Sequence, residues 1–176
     1  HTWFTQIGNY LDSQDLFRCP SYRGPSFYSW RENMIHYTGG SYAYNGLGTA
    51  SRPSGYFSHN GVLGLGGDRP FQSEQDPIPV PVSRVRSPNN MLAIGDSVLN
   101  GFGITSFLLT PTDTLRTEPE RHRSALNTLF VDGHVEASPQ EKLGARTPDA
   151  RRRWNNDHLP HPETWEAVEA AANEAF

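Results

Sequence analysis

Residues 121–136, RHRSALNTLFVDGHVE, decide the fold. Asn127 to Val131 is apolar and β-rich, Asp132-Gly133 supplies a turn, and His134 to Ala137 resumes the alternation. An Asp-Gly pair between alternating hydrophobics is the strongest short hairpin signal, on the expectation that both turn positions take positive φ. The stretch also carries a spacing: His122, nine residues, then Asp132-Gly133 and His134.

Upstream of the hairpin, MLAIG (91–95) is a continuous apolar run that reads as a buried strand, and Asp96-Ser97 closes it. Phe102 to Leu109 is a further strand or a loop edge. DPIPVPVSRVRSP (76–88) is extended, because Pro77, Pro79 and Pro81 forbid helix and disfavour a central strand. SYAYNGLG (41–48) reads as a short strand ending in an Asn45-Gly46 turn. GVLGLGG (61–67) follows no strand of a βαβ unit and opens no helix, so it reads as a flexible loop with an apolar stitch. At the front, Trp3, Phe4, Ile7, Tyr10 and Leu11 fall at helical spacing, as in the tail of a longer helix. Behind the hairpin, Ser138-Pro139-Gln140-Glu141 predicts a capped helix start. Pro162 opens a helix over 162–175.

Strands in sequence with segregated helices indicate an α+β fold. The expected architecture is an N-terminal helix packed on a small, loop-rich antiparallel sheet of three to five strands. Residues 1–138 form the head, and 139–176 form a C-terminal arm with a short helix.

The chain has 176 residues, enough for one domain with a modest core. Only 35% is apolar, against 16 Gly and 14 Pro, which makes it loop-rich; aromatics at 11% argue against disorder. A net charge of −4 gives no electrostatic case for nucleic acid or an anionic membrane. No stretch approaches the roughly 18 apolar residues of a spanning helix. The sequence starts at His1 and is expected to be a mature or incomplete chain, with membrane contact only through a segment ahead of it. Cys19 is the sole cysteine, so no internal disulfide forms. With no His or second Cys beside it in sequence, Cys19-Pro20 reads as a buried small hydrophobe in a turn.

Gly95-Asp96-Ser97 after a buried strand is similar to the nucleophile block of GDSL-type hydrolases. Such an enzyme needs an oriented histidine and an oxyanion site. Asp157-His158 is adjacent rather than Asp-x-x-His, so Asp96 is read instead as satisfying loop N–H groups. Asp96, His122, Asp132 and His134 are candidate metal ligands, with His158 and His161 further off. Oxygen-rich calcium ligation is favoured over a transition metal. Arg151-Arg152-Arg153-Trp154 reads as a solvated face with Trp154 docking on the body. Its functional alternative is contact with an acidic neighbouring subunit, in which Trp165 would share. WNNDHLPHPETW (154–165) looks like an arm lying across a surface, with Asn155, Asn156 and Asp157 making turn hydrogen bonds.

Four phrases, in order, carry a resemblance. LFRCPS (16–21), SYAYNGLG (41–48), RVRSPNNMLAIGDS (84–97) and His122-(nine)-Asp132-Gly133-His134 resemble a family of prepilin-like proteins. These are the type II secretion pseudopilins and their relatives, abundant in planctomycete- and verrucomicrobium-like bacteria. The resemblance implies a non-enzymatic subunit of an extracellular or periplasmic filament, working with secretion or pilus machinery. In that family an apolar N-terminal helix anchors in the inner membrane, then packs into the filament core, while the α+β head makes head-to-tail contacts. It also implies calcium in a C-terminal loop, of which this chain has no recognisable version. Two rival classes are a surface binding module using Trp30, Tyr42, Tyr44 and Tyr56, and a small hydrolase built on Ser97.

Overall fold

A computed structural model describes residues 10, 13–23, 27–28, 37–38, 41–49, 63–67, 80–96, 111 and 121–165. The expected front helix, the 102–109 strand, Ser97, Trp30, Tyr56 and most of the helix over 162–175 lie outside these residues. Among the described residues no helix is long and apolar enough to cross a membrane.

Strands β1 (Phe27–Tyr28) and β2 (Tyr37–Thr38) form a separate antiparallel pair. The main sheet has four strands in sequential order, all antiparallel: β3 (Tyr42–Tyr44), β4 (Leu92–Asp96), β5 (Ala125–Phe130) and β6 (Val135–Pro139). This is the α+β, loop-rich architecture expected, with a strand count inside the expected range. Burial alternates along β5, with Leu126, Thr128 and Phe130 inside, because successive side chains of a strand point to opposite faces. The β4–β5 register shifts between Leu92 and Ile94.

The β5–β6 hairpin forms where Asp132-Gly133 predicted it, but by a different turn. The loop is three residues, Val131 to Gly133. Phe130 N–H donates to His134 O (2.9 Å) and Gly133 N–H donates to Phe130 O (3.0 Å). Only Gly133 takes positive φ (95°); Asp132 does not. That is a turn closed by a glycine bulge, a geometry needing one left-handed residue rather than two.

Two apolar clusters cover the sheet. Ala43, Leu92, Leu126 and Phe130 pack with Leu143 and Trp154, which come from beyond the hairpin. Leu65, Val85 and Met91 pack with Tyr44, Val80, Ala93 and Val131. Because Ala43 and Tyr44, and likewise Leu92 and Ala93, are neighbours in a strand, the clusters lie on opposite faces.

The chain behind β6 supplies the first lid. Helices α1 (Gln140–Gly144) and α2 (Pro148–Arg151) lead into a 3-10 turn, Arg152–Trp154. The expected capping box at Ser138 does not form. Ser138 and Pro139 are taken up in β6 and α1 starts at Gln140, so the Ser138 hydroxyl reaches Glu136 Oε2 (3.3 Å) instead. Thr147 does cap α2, its Oγ1 accepting from Ala150 N–H (3.3 Å).

Residues 63–67 supply the second lid, and they are pinned rather than flexible. Leu65 N–H donates to Asn45 O (2.9 Å), and Gly66 N–H to Gly46 O (3.0 Å). Backbone approaches backbone so closely that a Cβ on Gly64 would sit 2.5 Å from Gly48 N, which explains the glycines on both sides. After Pro81, Val82–Arg84 makes one 3-10 turn within the segment expected to be extended.

Three asparagines stitch the loops together. Asn45 Nδ2 donates to Leu92 O (2.7 Å) and Trp154 O (2.9 Å), while its Oδ1 accepts from Gly48 N–H (3.0 Å). Asn155 Oδ1 accepts from Thr49 N–H and Oγ1 (2.9 and 3.0 Å). Asn156 N–H donates to Leu63 O (2.7 Å), and its Nδ2 to Gly64 O (2.8 Å). Asn155 and Asn156 thus reach distant loops, beyond the local turn bonds expected of them. Buried backbone carbonyls left without partners are costly, and these amides supply them in a fold with little regular structure.

Candidate functional site

Cys19 follows a 3-10 turn (Gln14–Phe17) and is buried, with Pro20 exposed beside it. Its N–H donates to the Ser41 hydroxyl, and Ser41 N–H donates to Phe17 O (2.8 Å), so this turn is fastened to the start of β3. Asp96 ends β4 opposite Tyr42 and is fully buried. His122 lies just ahead of β5. The three side chains meet: Cys19 Sγ is 3.2 Å from His122 Nε2, and Asp96 Oδ2 is 3.4 Å from the same nitrogen.

The chain is bent to make this possible. His122, Arg123 and Ser124 take φ of 49°, 57° and 64°, three successive non-glycine residues in the left-handed region. Each costs about 1–2 kcal/mol relative to the right-handed form. Such strain persists only where the surroundings hold it. Here Ser124 N–H donates to Arg121 O (3.2 Å), Gln140 N–H donates to Ser124 O (3.4 Å), and the Arg121 guanidinium lies buried over the Tyr22 ring (4.5 Å).

Asp96 is the electrostatic centre. Burial pushes its carboxyl above the usual carboxylate range, opposed by the Asn127 N–H donated to Oδ2 (2.9 Å), by Arg121 (Nη1 to Oδ1, 3.6 Å) and by His122. Among the described residues, Asp96 thus serves the next strand's backbone and a buried cation; the loop after β4, which it was expected to serve, lies outside them. Tyr42 is pushed up to about 12, first by burial and then by the neighbouring Cys19 and Asp96. Cys19, Asp96 and His122 place one sulfur, one oxygen and one nitrogen within 4.8 Å of one another, a set able to hold a metal ion.

Asp132 and His134 are elsewhere. Six residues of β5 separate His122 from the hairpin tip, about 20 Å at strand rise. The four metal candidates thus divide between the two ends of one strand. At the tip, His134 Nδ1 lies 2.6 Å from Asp132 Oδ1, its Nε2 lies 3.4 Å from Glu136, and its ring stacks on Phe130 at 4.3 Å. The hydrogen bond between them raises His134 and lowers Asp132. Gly133 serves the turn alone.

Trp154 docks on the body as expected, but the arginine run is solvated only at Arg152. Arg151 is buried and caps α1, donating from Nε to Ala145 O (3.0 Å) and from Nη2 to Gly144 O (3.1 Å). Arg153 pairs with Glu136 (2.8 Å) and lies over the Phe130 ring (4.9 Å). Arg152 bonds Pro148 O (3.2 Å) and pairs with the exposed Asp149 (3.2 Å). Trp154 is fully buried, its Nε1 donating to Leu143 O (3.1 Å). Of the expected subunit-contact residues, Arg151 and Trp154 are therefore committed to the interior.

The same holds for the stretch expected to lie across a surface, which starts in the core and turns outward after Asn155. There His161 sits between two carboxylates, Nε2 on Asp157 (2.7 Å) and Nδ1 on Glu163 (2.7 Å). Trp165 Nε1 donates to Pro160 O (2.7 Å), and the Arg151 guanidinium lies 5.8 Å from its ring.

Burial works against charge on His161, but the hydrogen bonds to Asp157 and Glu163 outweigh it and hold its pKa above the ordinary histidine value. A folded pKa raised above the unfolded one, about 6.5, stabilises fully below that value and is lost as pH rises through the folded pKa. Trp165 fluorescence should therefore report a loosening of the 157–165 turn as pH rises through the His161 pKa. The transition should disappear in His161→Ala; a pH-independent signal in the parent chain would contradict the pairing.

Local pattern gave no sign that Cys19 and Arg121 belong to this network, or that Asn45 ties the sheet to the C-terminal lid. Their partners lie far off in sequence, and the only available signal was their presence in or beside the recurring phrases. Comparison with protein-family models, with curated proteins and with solved structures finds no match to this chain.

Proposed function

We propose that this chain is a structural subunit of an extracellular pilus- or pseudopilus-like filament, assembled by head-to-tail contacts between copies. The observation that supports this is where the four resembling phrases lie in the fold. Cys19 comes from the first, Ser41, Tyr42 and Asn45 from the second, Asp96 from the third and His122 from the fourth. All but Asn45 form one buried joint between the front of the chain and the sheet, and Asn45, at the other end of β3, ties the sheet to the C-terminal lid. Sequence phrases that meet to brace a head suit a structural protein. The joint fastens the turn after residue 13 to the sheet, at the point where a helix entering from the front would have to be held.

In this reading the chain is not an enzyme. Its partners are further copies of itself and the secretion or pilus machinery, at the cell surface. Heterologous contacts propagate into fibres when the rotation between copies does not close. The test is sedimentation and negative-stain imaging of the natural full-length chain over a concentration series. The expected result is polymers that grow with concentration and have a regular repeat. Monomers throughout the series would overturn the proposal and favour a secreted binding module.

A further inference from the structure

We propose that Cys19, Asp96 and His122 bind a zinc ion, which clamps the front turn of the chain to the ends of β4 and β5. Geometry is the first argument. Cys19 Sγ and Asp96 Oδ2 both face His122 Nε2, at 3.2 and 3.4 Å. One ring nitrogen carries at most one proton, so it cannot give each neighbour a full hydrogen bond. A metal at the centre removes the conflict. With ordinary zinc–ligand distances, a tetrahedral site places sulfur and nitrogen about 3.6 Å apart and nitrogen and oxygen about 3.4 Å apart. The observed nitrogen–oxygen separation matches, and the sulfur–nitrogen one, at 3.2 Å, would open by about 0.4 Å around the ion.

The second argument is the carboxylate. Asp96 is fully buried, yet among the described residues its Oδ1 accepts no hydrogen bond and faces Arg121 at 3.6 Å. A buried carboxylate with one oxygen left without a hydrogen bond is costly. Zinc would balance the thiolate and the carboxylate together. Arg121 would remain on the carboxylate from outside, and Tyr42 beside the sulfur, as the outer partners that orient ligands in such sites. Donor chemistry selects the ion. Thiolate and imidazole suit zinc and disfavour calcium, whose ligands are oxygens. Three protein ligands leave a fourth position for solvent, on the side where His122 is partly exposed. The inference is independent of the filament reading, since it concerns the folded head alone.

The test uses the full-length chain stripped of metal with a chelator. Zinc is titrated by calorimetry, and cobalt(II) by absorption. The expected result is one ion per chain, a thiolate-to-cobalt charge-transfer band, and a higher unfolding midpoint with zinc. Cys19→Ser should abolish the band, and His122→Ala should weaken zinc binding by roughly tenfold or more. His134→Ala, which removes the exposed hairpin histidine, should change neither. No binding by the folded parent chain would overturn the proposal. So would binding that survives Cys19→Ser and His122→Ala but is lost in His134→Ala. The band is read on the parent protein, so a variant that fails to fold does not remove the test.

Discussion

Trp154→Ala is expected to destabilise the fold by about 3–5 kcal/mol, a large share of the roughly 5–15 kcal/mol by which a domain is ordinarily stable. The side chain is fully buried against Ala43, Leu92, Leu126, Phe130 and Leu143. Truncation would open a cavity that only the flanking helices could collapse to fill. It would also free the Leu143 carbonyl, which accepts the indole N–H. Urea unfolding measures the effect. A loss under about 1 kcal/mol would mean that the segment after α2 does not form part of the core. Trp154→Phe keeps most of the apolar surface but loses the hydrogen bond, so it should fall between the two.

Arg121→Ala is the second large effect. It removes the arginine set against a fully buried carboxylate, at a site where Arg121 itself is almost fully enclosed. Breaking a buried pair from one side costs about 3–5 kcal/mol, because the remaining charge is left uncompensated. Arg121→Ala combined with Asp96→Ala should therefore cost clearly less than the sum of the two single changes. Additive losses would contradict direct pairing. The cation–π contact with Tyr22 goes in Arg121→Ala as well, so Tyr22→Leu serves as the control for that part.

Some of this architecture is readable from local pattern, and some is not. Strand β4 follows from MLAIG, a run too apolar to be exposed. The hairpin follows from alternation around Asp132-Gly133. The turn type does not follow, because Asp-Gly fits both a two-residue turn with two left-handed residues and a three-residue loop with one. Pairing of Leu129 with Val135 selects the second. The C-terminal lid is harder still. Three arginines before a tryptophan read as surface, yet Arg151 is internal because the last carbonyls of α1, left unpaired by the helix, accept its guanidinium. Those carbonyls are identified only once α1 is known to end at Gly144. Likewise, GVLGLGG reads as loose because glycine is conformationally free. Here its missing side chains let two loops touch, a fact that depends on Gly46 and Gly48 lying opposite.

The candidate site was legible in its parts and not in its assembly. Asp96 and His122 stand out as chemistry-bearing residues. Their grouping with Asp132 and His134 came from nearness in sequence, and strand β5 separates the two sets. Cys19 joins instead, across a sequence separation of 103. No periodicity carries such a contact; it follows from the register of β3 on β4 and the left-handed bend at His122. The same bend turns a spacing motif into a structural one: His122 braces the joint at the start of β5, while Asp132 and Gly133 reverse the chain at its end.

A double-mutant cycle tests whether Cys19 and His122 meet at the joint with Asp96. Cys19→Ala, His122→Ala and the double variant would be unfolded by urea as full-length chains. Direct contact predicts a coupling of about 0.5–3 kcal/mol between the two positions, with the double variant less destabilised than the single losses summed. Losses that add to within about 0.5 kcal/mol would contradict the joint, since independent distant sites behave that way.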